Sequence, residues 1–291
     1  MQLKRGQALF CQNHPLHDVS TIDEAPSTYL HANLDVFAVF DHTQDSGNVS
    51  YGVRSKGKRY FIKTAGNMDI LGGSGLSHSA RVSLLRNAVC VSNSCNHPAR
   101  PILHGVIESI LGPMLVYDWV DGQLLYATAI TRNDTSSAFH RFRLLPVIEI
   151  LKCLDTIYEL HNLLAQKGWV AIDFYDGCLI YDFKHQKLSV VDLDHYHQGP
   201  LINKMGRMFG SARFMAPEEF EQGAVVDGLT NVFTMGRTAA VLLFDNNLNR
   251  APFRGADVLC EVILRACQQE RDQRYQSVKS FHLAWREARG S

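Results

Sequence analysis

From Leu34 onward the apolar residues fall in short runs separated by polar turns. Leu34 to Phe40, Val49 to Arg54 and Lys58 to Lys63 each have strand length and polar or glycine-containing flanks, which predicts three consecutive antiparallel strands. The period then changes. Leu71 to Gly75 reads as a flexible connection, and Val82, Leu84, Leu85, Ala88 and Val89 give His78 to Val91 one helical face. Leu115 to Val120 reads as a strand that runs into the polar linker Asp121-Gly122. The broadest apolar face belongs to residues 141–165, where Leu144, Ile148, Leu151 and Ile157 recur at helical spacing. Beyond it, Val170 to Ile172, Leu179 to Tyr181 and Leu188 to Val191 are short apolar segments. The first and third of them end on acids, Asp173 and Asp192. Two further amphipathic helices are predicted over residues 256–267 and 277–288. Residues 1–33 carry no period and predict an extension with at most local structure.

Composition changes this picture little. The chain of 291 residues is 46% hydrophobic and 20% charged, as soluble globular proteins are. Its 29 basic residues balance 29 acidic ones, so neither a nucleic acid nor an anionic membrane is indicated as a partner. No apolar run approaches the roughly 18 residues of a membrane span, and no signal-peptide pattern follows Met1, which predicts a cytoplasmic protein. Seven scattered cysteines predict free thiols in a reducing compartment. Cys11 with His14, and Cys90 and Cys95 with His97, do not complete a four-ligand zinc pattern.

The stretch around Asp173, Cys178 and Asp192 resembles the H-R-D-x-x-x-x-N and D-F-G loops of protein kinases, in that order. Gly210-Ser211-Ala212-Arg213-Phe214-Met215-Ala216-Pro217-Glu218 resembles the G-T-x-x-Y-M-A-P-E segment of serine/threonine kinases, and Asp272-Gln273-Arg274 stands where that family keeps an arginine for the glutamate. Lys63 lies in the slot of the V-A-I-K lysine, and Gly47 and Val49 fall on the last glycine and the valine of G-x-G-x-x-G-x-V. The likeness spans residues 34–288 and is to a divergent, bacterial-type member. It implies an α+β bilobal protein-kinase-like fold, with an extension over 1–33, an antiparallel-sheet nucleotide-binding lobe over 34–120 and a mainly helical lobe over 121–291.

The resemblance implies transfer of the ATP γ-phosphate to a Ser or Thr hydroxyl of a protein, with ATP and Mg2+ as cofactors. Asp173 would be the catalytic base and Asp192 the metal ligand. Lys63 would sit on the phosphates, and Asp118 and Val120 would offer backbone groups to the adenine. Glu218 and Arg274 would form a structural pair. Cys178 stands at the second metal-binding position, where sulfur suits a hard cation poorly, and Asp194, which replaces the glycine of D-F-G, is an additional candidate ligand.

Several positions depart from the pattern. His42 and Gln44 replace two glycines, Phe61 replaces the alanine that touches adenine, and Ala171, Ile172 and Tyr175 replace the His, Arg and Lys of the catalytic loop. No glutamate lies between Lys63 and Glu108 to pair with the lysine, so either another residue, with Asn87 a candidate, or a ligand alone would orient it. Without an arginine at position 172, activity is expected not to depend on phosphorylation of the segment containing Ser211. Two other readings remain open: a pseudokinase that binds or scaffolds without turnover, and a kinase of small molecules of the antibiotic type.

Overall fold

The computed structural model describes residues 14–41, 47–68, 75–244, 248 and 253–290. The predicted connection over Leu71 to Ser74, and positions 42 and 44 of the glycine-loop match, lie outside the described residues. The chain divides into two units. One contains the residues up to Leu85 and Ile102–Trp119, the other Arg86–Pro101 and Val120 onward. Val120 and residues 86–101 therefore go with the second unit, not with the sheet-bearing first one.

The first unit holds α1 (Pro26–Asn33), β1 (Asp35–Phe40), β2 (Val49–Ser55), β3 (Lys58–Thr64), the start of α2 (His78–Ser94), β4 (Leu103–Ser109) and β5 (Gly112–Asp118). The strands make one antiparallel sheet in the order β1-β2-β3-β5-β4. Lys56 and Gly57, both at positive φ, close the β2–β3 hairpin, the backbone twist that two-residue hairpins favour. One face of the sheet, carrying Tyr51, Val53, Tyr60, Ile62 and Val116, packs with Leu16, Ile22, Tyr29 and Leu30 into a core. Residues 14–33 are thus part of this unit and not an appended extension. The Ile22 amide donates to the Glu108 carbonyl at 2.8 Å, the Glu108 amide to Ser20 at 2.9 Å, and the Tyr29 hydroxyl to Pro15 at 2.8 Å. Such cover works through a few isolated anchors, which leave no period in the sequence.

The second unit is mainly helical. In chain order it adds β6 (Gln123–Leu124), α3 (Ala138–Arg143), α4 (Val147–Gln166), β7 (Trp169–Val170), β8 (Leu179–Asp182), β9 (Lys187–Val190), β10 (His197–Gln198), β11 (Leu201–Ile202), β12 (Val225–Val226), α5 (Gly228–Leu243), α6 (Asp257–Ala266) and α7 (Val278–Gly290). The helix predicted over 141–165 is two helices. Pro146 is the residue before α4, where its fixed φ starts a helix and cannot continue one. α5 buries almost all its apolar residues, and α4 packs Ile150, Leu154, Ile157 and Leu160 with it in the same core around Tyr158, whose hydroxyl donates to the Met235 carbonyl at 3.0 Å. Val91 and Ala99 join the same core, and the Val190 amide donates to the Ala99 carbonyl at 2.7 Å, which accounts for residues 86–101 belonging here. Together the units form an α+β chain. Among the described residues, no helix is long and apolar enough to cross a membrane, and six cysteines are free thiols.

Candidate functional site

Strand β7 ends one residue before Ala171, and its loop is anchored from below by α5. The Asn231 side-chain oxygen accepts from the Ala171 amide at 2.7 Å while its amide nitrogen donates to the Trp169 carbonyl at 3.0 Å. An asparagine can therefore hold this backbone from both sides. Directly after this anchor, Asp173 adopts φ 61°, and Asp192, following β9, adopts φ 59°. Left-handed backbone costs a non-glycine residue roughly 1–2 kcal/mol and persists where the surroundings determine it. The surroundings here are Cys178, whose thiol faces the Asp173 carbonyl at 3.4 Å and the Asp192 carbonyl at 3.7 Å. One buried sulfur thus bridges the backbones of both aspartates.

That bridge decides the role of Cys178. Burial, reinforced by the Asp192 and Asp173 carboxylates, pushes its thiol well above the usual range. Cys178 is thus a neutral thiol whose one proton is shared between the two carbonyls, and its soft sulfur suits a hard cation poorly. Asp192 is exposed, whereas Asp194 is buried with its carbonyl accepting from Asn87 at 2.7 Å. Asn87 also donates to the Tyr196 carbonyl at 2.6 Å, so its two amide hydrogens hold the segment after Asp192. Behind it, His161 donates from Nδ1 to Ile157 and accepts from the Tyr196 hydroxyl at 2.6 Å; burial, opposed only by the Ile157 bond, holds this imidazole near a pKa of about 4 and so neutral.

Asp173 is partly exposed and has three close neighbours in its own unit. His195 Nε2 lies 3.9 Å from its carboxylate. Gly210, at φ 122°, approaches so closely that a β-carbon there would stand 3.4 Å from Asp173 Oδ1. Glu219 lines the same narrow cleft with Phe214, Met215 and Thr234. Burial pushes the Glu219 carboxyl up to about 8, while its Oε2 accepts from the Ala216 amide at 2.7 Å. Tyr175, where the family carries lysine, lays its ring against Gly177, and burial next to Cys178, Asp173 and Asp192 raises its phenol strongly. It supplies a hydroxyl but no cation.

The segment after Gly210 is held by two buried ion pairs. Arg213 donates to Asp176 at 2.5 Å and to the Ala127 carbonyl at 3.0 Å. Glu218 receives Arg274 at 2.8 and 3.1 Å, Arg271 at 2.7 Å and the Thr230 hydroxyl at 2.8 Å. Burial alone would raise Glu218, but these donors, Arg274 foremost, hold it below the usual carboxylate range. Arg213 and Asp176 carry no motif of their own, and only their joint burial identifies them.

In the first unit, Lys63 is 8% exposed on β3, paired with Ser50 of β2 and Leu115 of β5. Directly paired residues share a face, so Ser50 and Leu115 lie on the lysine's side. Val49 pairs with Thr64 and packs against the opposite, core face. Val49, which the resemblance implies as a nucleotide contact, is therefore on the side of the sheet away from Lys63. Gly47, at φ 79°, is held by close packing: a β-carbon on Gly66 would come within 2.5 Å of its carbonyl oxygen. Asp118 commits its amide to the Ile102 carbonyl at 3.0 Å, and its carboxylate takes Lys58 at 2.8 Å and His104 at 2.7 Å. Its amide is thus not available to read a base edge. Val120 begins the second unit. In α2, Arg81 is fully buried and donates to the carbonyls of Ala65, Leu76 and Asn67.

Among the described residues, no three His, Cys, Asp or Glu side chains form a cage for a metal ion. Mg2+ asks for less than a cage, since it keeps waters and uses one or two carboxylates with substrate phosphates. Asp192 meets that requirement; Cys178 does not. No protein-family model matches the chain, and no curated protein matches it.

Proposed function

We propose that this chain is an ATP-dependent phosphotransferase of the serine/threonine protein-kinase type, with a bilobal kinase-like fold. The observation that carries the reading is the pair of left-handed aspartates, Asp173 and Asp192, bridged at their carbonyls by Cys178. Two strained backbones of the same residue type, side by side at strand ends, are a pattern of active sites. The buried Glu218–Arg274 pair, which holds the segment ending in Ala216-Pro217-Glu218, gives independent support.

In this reading Asp173 accepts the proton of a Ser or Thr hydroxyl as that oxygen bonds to phosphorus, and Lys63 neutralises phosphate charge. Asp192 would hold Mg2+, which screens the negative charge of the phosphates when bound. Gly210 sets the position of the Asp173 carboxylate by its close approach. Glu219, kept protonated by burial at neutral pH, adds no second negative charge to that cleft.

A second reading, a binding module without turnover, is favoured by one observation: Tyr175 brings a neutral phenol where the family brings a lysine. Two measurements separate the readings. The melting temperature is recorded with ATP and magnesium, with ATP and chelator, and with neither; a ligand at about 100 times its dissociation constant stabilises a fold by roughly 2.7 kcal/mol. Transfer of labelled γ-phosphate to Ser/Thr peptides is then compared for the parent and Asp173→Asn. Metal-dependent stabilisation with transfer that the variant loses is the expected result. Equal behaviour of the two proteins refutes Asp173 as base, and stabilisation without any transfer favours the binding module.

A further inference from the structure

The sheet face that carries Lys63 also carries a cluster of aromatic rings. Across β1 and β2, Val36 pairs with Val53 and Ala38 with Gly52, so Phe37 is an inserted bulge residue. A bulge re-aims a side chain, and this one delivers the Phe37 ring onto Gly52. A β-carbon on Gly52 would stand 2.8 Å from Phe37 Cε2 and Cζ and 2.8 Å from Trp119 Cζ3. The two rings therefore occupy the space that a side chain at position 52 would take. They meet edge to face, with centroids 4.8 Å apart. Gly52 is paired with Phe61, and Ser50, two residues on along β2, is paired with Lys63, so the rings cover the row adjoining the lysine. Phe40 closes the group, 6.0 Å from Phe61 and 6.4 Å from Trp119. From outside, the Arg54 guanidinium lies 4.7 Å over Phe37 while also pairing with Asp35 at 3.0 Å, and Arg59 lies 5.9 Å over Trp119.

We propose that the Phe37–Trp119 pair over Gly52 is a built-in plug of the nucleotide face, so that a purine can lie beside Lys63 only when these rings move aside. The inference rests on the phosphotransferase reading for the identity of the ligand, and on the first unit alone for the plug. It makes Phe37 a specificity-determining residue: the bulge that places it could be removed without touching Lys63. The same aromatic faces disfavour a base that cannot displace them, so nucleotide affinity is set by the strength of the ring pair as much as by the phosphate contacts.

The test is calorimetric titration of the full chain with ATP plus magnesium, for the parent, Phe37→Ala, Phe61→Leu and Arg54→Ala, with Lys63→Met added to each. Phe37→Ala is expected to bind at least tenfold more tightly than the parent, a difference of about 1.4 kcal/mol, and Lys63→Met to reverse the gain. Arg54 is half exposed, so Arg54→Ala loosens the clamp on Phe37 without threatening the fold, and it is expected to tighten binding about twofold to threefold. If Phe37→Ala fails to fold, Phe61→Leu and Arg54→Ala decide the matter. Equal affinity of the parent and all three variants overturns the plug, and so does the absence of binding in every protein. Tight binding by Phe37→Ala with no phosphate transfer leaves the plug standing and refutes the phosphotransferase reading. A parent that binds and transfers as well as Phe37→Ala does the reverse.

Discussion

Arg274→Met offers the sharpest test of how the second unit holds the segment after Gly210. Arg274 is fully buried and makes two bonds to Glu218, and it also donates to the carbonyls of Gln268 at 2.8 Å, Gln269 at 3.1 Å and Leu229 at 3.2 Å. Removing one partner of a buried ion pair costs about 3–5 kcal/mol, because the other charge stays behind. Two effects pull on that range. Arg271 and Thr230 still serve Glu218, which lowers the cost, while three carbonyls lose a donor at about 1 kcal/mol each, which raises it. The net expectation is about 4 kcal/mol. Glu218→Gln keeps a hydrogen-bond acceptor for Arg274 and should cost less, about 2 kcal/mol. If the two residues act as a pair, the double variant costs less than the sum of the singles by at least about 1 kcal/mol. Urea unfolding followed through Trp169 and Trp285, both in this unit, reads these values. A loss under about 1 kcal/mol for Arg274→Met, or strict additivity in the cycle, refutes the reasoning.

Gly210→Ala places a β-carbon 3.4 Å from Asp173 Oδ1 in a left-handed backbone, so we expect about 1–2 kcal/mol of destabilisation and a loss of phosphate transfer larger than that stability change explains. The raised pKa of Glu219, about 8 against 4.5 in the unfolded chain, stabilises the fold fully below pH 4.5, and this contribution fades as pH rises towards 8. By pH 7 the loss is on the order of 3 kcal/mol; in Glu219→Gln the stability profile should flatten over that window, and an unchanged profile refutes the assignment. Ser211→Ala should leave transfer unchanged, because Arg213–Asp176 and the Asn87 bonds hold the segment without a phosphate; a large drop in turnover contradicts this. Cys178→Ser should keep the bridge to the Asp173 and Asp192 carbonyls and restore no second metal, so that a magnesium titration fits one site.

How much of this was legible depended on whether a residue acts through pattern or through burial. β2, β3 and α6 follow from alternation and helical period, because each buries one face or nearly all of itself against a continuous core. Asp173, Asp192, Glu218 and Arg274 were legible as motif positions, and the last two meet although 56 residues separate them. The segment over 14–24 was not legible, since Leu16 and Ile22 reach the core singly and the backbone between them bonds to the edge of β4. Nor was the face of Val49: alternation fixes which residues share a side, but the register with β3 selects the side, and that depends on the two-residue turn at Lys56-Gly57. Arg81, Arg213 and Asp176 read as ordinary surface charges until their burial is known. α4 was legible as a helix but not at its start, where the apolar face continues across Pro146 into α3 and conceals the break.

The departures from the kinase pattern also become coherent in physical terms. In the loop of Asp173, Cys178 bridges two backbone carbonyls with a neutral group, and Asn231 holds the loop backbone without a charge. Tyr175 brings a phenol where the resemblance implies a lysine, and Arg81 in α2 binds backbone carbonyls. The arrangement keeps Asp173 and Asp192 in left-handed backbone through neutral hydrogen-bonding groups, while in the first unit the rings of Phe37 and Trp119 fill the space beside Gly52 that a side chain there would take.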